Sequence, residues 1–148
     1  MARSTNTQFA VAVHVLTYLA GDVDAPVSSE ELSGSTNTNP VYIRRALGPL
    51  REAGLVRSRP GVHGGWELAA DPRQISLAQV WETLQGSEPV LGLHGPAPDC
   101  VVGRGVRDSL VALDRAVAAA VGTELAHYTV HDVLSGRLRL AEGFRQDS

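Results

Sequence analysis

The sequence predicts a mainly α fold with one small two-stranded β wing, built as an N-terminal helical unit followed by a long C-terminal helix. Three observations predict it. Apolar residues recur three and four apart along most of the chain, only one stretch alternates apolar and polar residues around a glycine-rich tip, and a helical pattern of about 25 residues follows a proline- and glycine-rich loop. A chain of 148 residues is one domain's worth of material, able to remove about 70% of its extended surface from water.

The first helix is expected over Thr7 to Ala20, where Phe9, Ala12, Val13, Leu16 and Leu19 form one apolar stripe that stops at Gly21. Ser28 to Glu31 has the form of a capping box ahead of Leu32, so a short second helix is expected before Gly34, with Ser35 to Thr38 as a polar turn. Asn39-Pro40 supplies a cap and a first-turn proline for a third helix. Ile43, Ala46, Leu47 and Leu50 form its inner face, which leaves Tyr42, Arg44, Arg45 and Arg51 on other faces; Pro49 should bend its last turn before Gly54 ends it.

Leu55 to Ser58 and Trp66 to Ala69 alternate on either side of Arg59 to Gly65, which reads as a two-stranded ribbon with a turn-rich tip. Ser76 opens a fourth helix with Leu77, Val80, Trp81 and Leu84 on its apolar face, ending near Gly86. Ser87 to Asp99 holds Pro89, Pro96, Pro98, Gly92 and Gly95, a loop by composition. From about Val102 to His127 a long helix is expected with Val106, Leu110, Leu113, Val117, Ala120, Val121 and Leu125 on one side. Thr129 can cap a short last helix, and Arg137 to Ser148 reads as a frayed tail. The chain accordingly divides into residues 1–86, a loop at 87–101, C-terminal helices at 102–136 and a flexible tail at 137–148.

The formal net charge is −3, yet between Pro40 and Trp66 five arginines (Arg44, Arg45, Arg51, Arg57, Arg59) face one acid, Glu52. Helix, helix, turn, helix and ribbon, in that order, make a winged helix-turn-helix domain, here followed by a long C-terminal helix; in such a domain the third helix enters the major groove of double-stranded DNA and the wing meets an adjacent groove. The basic cluster lies where that arrangement needs it. Asn39 and Tyr42 at the helix start are expected at base edges, Thr36, Asn37 and Thr38 at phosphates, and Arg44, Arg45, Arg57, Arg59 and the tip residue His63 at phosphates or the minor groove.

The residues from Tyr42-Ile43 through Leu47 and Leu50, Ala53-Gly54-Leu55-Val56, Gly61 with Gly64-Gly65-Trp66-Glu67-Leu68-Ala69, Pro72, Ile75-Ser76-Leu77 and Thr129-Val130-His131-Asp132-Val133-Leu134 resemble the Rrf family of winged helix-turn-helix transcription regulators over nearly the whole chain. The resemblance implies a homodimer joined by the long C-terminal helix, a palindromic operator, repression as the usual output, and a sensory loop between the fourth and fifth helices. Cluster-binding members place three cysteines in that loop, whereas this chain has a single one, Cys100. It resembles the lone-cysteine branch, which makes Cys100 the redox-sensing candidate, beside the plainer reading of a small packing residue.

No cofactor is expected: an iron–sulfur cluster needs more thiolates than one cysteine offers. No metal site is expected either. His127 and His131 are four apart, but Thr129 interrupts the helix between them. An enzyme with Cys100 as nucleophile and His94 or His63 as base lacks any supporting motif, and a winged-helix module for protein contacts alone leaves the ribbon arginines unexplained. The start of the chain lacks a signal-peptide pattern and no apolar run is long enough for a membrane helix, so a cytoplasmic protein with no membrane partner is expected.

Overall fold

The computed structural model describes residues 5–138. Within them the order is α1 (Thr5–Ala20), α2 (Ser29–Thr36), α3 (Pro40–Glu52), β1 (Val56–Arg59), β2 (Gly65–Leu68), α4 (Leu77–Gln85), α5 (Val101–Leu125) and α6 (Val130–Leu134). The mainly helical fold with one two-stranded antiparallel wing and a long C-terminal helix is the one expected from the sequence. Most of the residues expected to form the flexible tail, 139–148, lie outside the described residues.

Side-chain oxygens cap the starts of four of the helices. Ser28, Asn39, Ser76 and Thr129 each accept the backbone N–H three residues on, from Glu31, Tyr42, Gln79 and Asp132, satisfying donors that helix geometry leaves open. At Thr129 the box is reciprocal, because the Asp132 carboxylate accepts the Thr129 N–H at 2.9 Å. At Ser28 only half of the expected box forms: Glu31 turns to the Tyr18 hydroxyl, which donates to it at 2.6 Å and ties α1 to α2.

α2 runs two residues past the expected stop at Gly34 and ends instead at Asn37, in the left-handed region at φ 53°. Asparagine tolerates that conformation better than most residues. α3 ends on a hydrogen-bonded motif that glycine makes possible: Gly54 has φ 79°, its N–H donates to the Arg51 carbonyl, and the Leu55 N–H reaches back to Leu50. α3 is continuous through Pro49.

The strands sit one residue from the expected bounds, with Val56 opposite Leu68, Arg57 opposite Glu67, Ser58 opposite Trp66 and Arg59 opposite Gly65. A further bridge pairs Trp66 with Val27, each N–H donating to the other's carbonyl at 2.8 and 2.9 Å. The wing is thereby joined to the segment leading into α2, and the buried Trp66 indole N–H donates to the Ser29 hydroxyl at 3.0 Å. A Cβ at Gly65, where φ is 149°, would stand 2.5 Å from the Val27 carbonyl oxygen, and one at Gly64 would overlap the Arg59 carbonyl.

The core gathers Val11, Ala12, Val15, Leu16 and Leu19 of α1 with Leu32, Ile43, Leu47, Leu50, Val56, Trp66, Ile75, Val80 and, from α6, Val130. Phe9 meets Trp81 edge to face with ring centroids 5.4 Å apart, a favoured aromatic geometry. An antiparallel bridge between Ser76 and Thr129 draws α6 onto this core, with Leu77 donating to Tyr128 and Val130 to Ile75. α5, by contrast, buries none of its residues fully.

Gly65→Ala is expected to lower unfolding stability by about 2–3 kcal/mol, the scale of a strained backbone position combined with a close contact. Gly34→Ala, inside α2 with open space around it, should raise stability by roughly 0.5–1 kcal/mol. Urea denaturation of both variants beside the parent chain measures the contrast.

Candidate nucleic-acid interface

The outer surface of α3 follows from which residues its core contacts consume. Tyr42, Ile43, Ala46, Leu47 and Leu50 are buried, while Val41, Arg44 and Arg45 are exposed. Tyr42 therefore departs from its expected outward position. It lies one helical turn before Ala46 and two before Leu50, on the edge of the inner stripe, and only 9% of it is exposed. Val41, 56% exposed, stands on the outward face instead. Helical spacing carried that signal, since 41, 44 and 45 are separated by three and four.

Arg45 has no ion-pair partner among the described residues, and Arg44 reaches Glu30 of α2 only at 4.0 Å between two exposed side chains. Pairs of this kind contribute little and yield to a stronger anion. Arg51, itself exposed, lies over the Trp66 ring, 6.0 Å from its centroid, a cation–π contact.

The polar residues before α3 are engaged locally. Asn39 Oδ1 accepts the Tyr42 N–H at 2.8 Å. The Thr36 hydroxyl lies 2.9 Å from the Leu32 carbonyl and 2.8 Å from the Thr38 hydroxyl. If the Thr36 hydroxyl donates to Leu32, the Thr38 hydroxyl donates to Thr36. Asn37 is exposed in its left-handed cap position.

On the wing, directly opposed positions share a face, so Arg57, Arg59 and Glu67 stand together on the outer side, while Val56 and Trp66 are buried on the inner side. Arg57 and Arg59 each donate Nε–H to the same Glu67 oxygen, Oε1, at 2.6 Å. Glu67 carries no signal of its own in the sequence; its place opposite Arg57 becomes visible only once the strand register is fixed. The tip beyond it presents the exposed Val62 and His63.

Cys100 is exposed and caps α5, its Sγ accepting the Gly103 N–H at 3.3 Å. The loop ahead of it is tied to α5 farther along, where the Leu91 N–H donates to Asp114 at 2.7 Å. Among the described residues no three His, Cys, Asp or Glu side chains come together in a way that could hold a metal ion, nor is any helix long and apolar enough to cross a membrane.

The order of elements, the capped third helix and the arginine-bearing wing are matched as a whole by a known family: the model of Rrf2, described as an iron-dependent transcriptional regulator, covers residues 5–136. The chain belongs to the Rrf2 family. It is 37% identical to the HTH-type transcriptional regulator YwnA of Bacillus subtilis over 88% of this chain and 96% of that one. A crystallised DNA-binding protein is 35% identical with a TM-score of 0.67, covering 86% of this chain and 98% of that one. A transcriptional regulator from Lactobacillus plantarum shares the fold, with a TM-score of 0.73 at 24% identity over 88% and 89% of the two chains.

This Rrf2 chain is thus a winged helix-turn-helix transcription regulator, from a family of regulators rather than enzymes. The iron in the family's description finds no fitting donor set here: the sequence has one cysteine, and the grouping of donors an iron or cluster site requires is missing among the described residues.

The paired arginines, Arg57 foremost and then Arg59, hold the Glu67 carboxyl below the usual carboxylate range. A carboxyl lowered on folding contributes stability that is present above its unfolded pKa and lost as pH falls through the folded value. An NMR titration of Glu67 should therefore find a midpoint below that of an ordinary glutamate. Arg57→Ala with Arg59→Ala should move it back up; an unmoved midpoint would contradict the clamp.

Proposed function

We propose that this Rrf2 protein is a homodimeric, sequence-specific DNA-binding regulator acting as a repressor, in which α3 reads the major groove and the wing grips the adjacent backbone or minor groove. The observation that carries it is the pair of exposed, weakly partnered cations Arg44 and Arg45 on the outward face of α3, beside the two wing arginines. A cation held against another protein charge has less to offer a phosphate; these two are available. Phosphate neutralisation supplies a large share of the affinity of such proteins, makes it salt-dependent and fixes their register on the duplex, and the helix start in the groove reads the base edges. Asn37, Thr38 and Asn39 flank that start, and His63 extends the wing tip.

The dimer surface in this proposal is the outward stripe of α5. Val102, Val106 and Leu113 are exposed there, with Leu110 and Val117 half-buried on the same stripe, at spacings that form one apolar seam. A long helix with no fully buried residue and an apolar outer stripe is stabilised by a second copy. The two-fold pairing would match a palindromic operator.

The signal in this proposal is oxidation of Cys100, exposed at the start of that helix. Its thiolate would attack a peroxide oxygen, forming a sulfenic acid and releasing hydroxide. The change alters the Cys100–Gly103 cap, and so the entry of the loop into α5.

Replacing Arg44 and Arg45 together by alanine is expected to weaken duplex binding roughly tenfold or more and to flatten the log–log salt dependence by about 0.9 for each phosphate no longer neutralised. Unchanged gel-shift affinity in a folded variant would remove α3 from the reading. Leu113→Asp should convert dimer to monomer in sedimentation equilibrium, and a persistent dimer would move the interface elsewhere. Peroxide should release wild-type protein from its duplex and leave Cys100→Ser bound; equal behaviour of the two would exclude the thiol as the switch.

A further inference from the structure

Glu67 is out of place on a surface meant for phosphate. The outer face of the ribbon consists of Arg57, Arg59 and Glu67, with Gly65 opposite Arg59 adding no side chain. A carboxylate there cancels one of two charges and repels a polyanion. Folding does not account for it: the wing is already fixed by the Val27–Trp66 bridge and the Trp66–Ser29 hydrogen bond, and exposed ion pairs add little to stability.

The geometry shows what the carboxylate does instead. Its side chain is 22% exposed, against 57% and 61% for Arg57 and Arg59, so it lies beneath the two guanidinium groups. It takes the Nε–H of each on a single oxygen. No other hydrogen bond or ion pair engages these two side chains among the described residues, so their terminal nitrogens remain available to an anion.

We propose, on the reading that this protein binds duplex DNA through its wing, that Glu67 is a positioning residue that sets selectivity: it gathers Arg57 and Arg59 into one oriented pair and lowers their attraction for arbitrary phosphate. Two free arginines would each sample many rotamers and bind any backbone, since non-specific affinity follows the number of available cations. Held on one oxygen, they give up that freedom before DNA arrives, and their combined charge is reduced from two to one. A backbone or minor groove of matching shape receives both guanidiniums at once, whereas a mismatched one engages only one of them and meets the carboxylate. Discrimination of this sort comes from an unfavourable element as much as from a favourable one.

The test uses the full chain as Glu67→Gln, which keeps the size and an oxygen acceptor but removes the charge. The probes are a duplex selected from a random pool by the wild-type protein and a scrambled duplex of equal length and composition. Glu67→Gln should bind the scrambled duplex about threefold to tenfold more tightly and steepen its salt dependence by about 0.9 per wing, while the selected duplex gains less, so that the selectivity ratio falls. In an Arg57→Ala, Arg59→Ala background the same substitution should leave the ratio unchanged. The proposal is overturned if affinity for both duplexes rises or falls in parallel, or if the ratio still shifts without the two arginines. Failure of the wild-type protein to bind either duplex at low salt would instead remove the DNA-binding reading on which the proposal rests.

Discussion

The placement of the wing arginines relative to the third helix depends on one short backbone exchange, the two hydrogen bonds between Val27 and Trp66. A two-stranded ribbon by itself is marginal in water, and its free edge would leave polar groups to solvent. Pairing β2 on one side with β1 and at one point with the segment before α2 gives the ribbon a third contact. The Trp66 ring then seals the joint, one face toward the core and its N–H on Ser29 at the start of α2. Because α2 and α3 pack on the same core, the wing and the third helix are held in a fixed relation. The close approach leaves no space for a side chain at Gly65, so the glycine belongs to the joint as much as the tryptophan does.

The legible parts of this architecture were those written in local chemistry. Ser28, Asn39, Ser76 and Thr129 announce their helices because a side-chain oxygen before an apolar repeat has one favourable use, and the run from Pro60 to Gly65 announces a turn because few other conformations suit it. What escaped depended on partners distant in sequence or on small geometric margins. Gly34 resembled a helix stop, but the chain had a better one three residues later in Asn37. Tyr42 sat on the border between two helix faces, and the fold takes it into the core. Glu67 had no reading of its own until the ribbon register placed it across from Arg57. The roles of the arginines were readable as a cluster; the way a carboxylate organises two of them was not.

Charge is distributed rather than abundant in this protein. An excess of acid overall coexists with a cluster of cations on one helix and one ribbon, and even there the arginines differ in setting: Arg45 without an ion-pair partner among the described residues, Arg44 loosely opposed, Arg51 laid over a ring, Arg57 and Arg59 bound to a common oxygen. The same economy appears at the start of α5, where a cysteine occupies the capping place more often taken by serine or aspartate. Weak as an acceptor, sulfur closes that helix end less firmly than oxygen would.

The core is closed by an element made late. Val130, fully enclosed, packs with side chains of α1 more than a hundred positions earlier, and the strand-like pairing of Thr129 with Ser76 secures it. Contacts of such long range form only after the intervening chain has been fixed, and they slow folding. During translation, α1 to α4 would emerge from the ribosome with part of their apolar surface uncovered and would remain so while the whole of α5 is synthesised. The nascent chain thus passes through an interval in which exposed apolar surface invites association with other proteins, and the few residues of α6 end it.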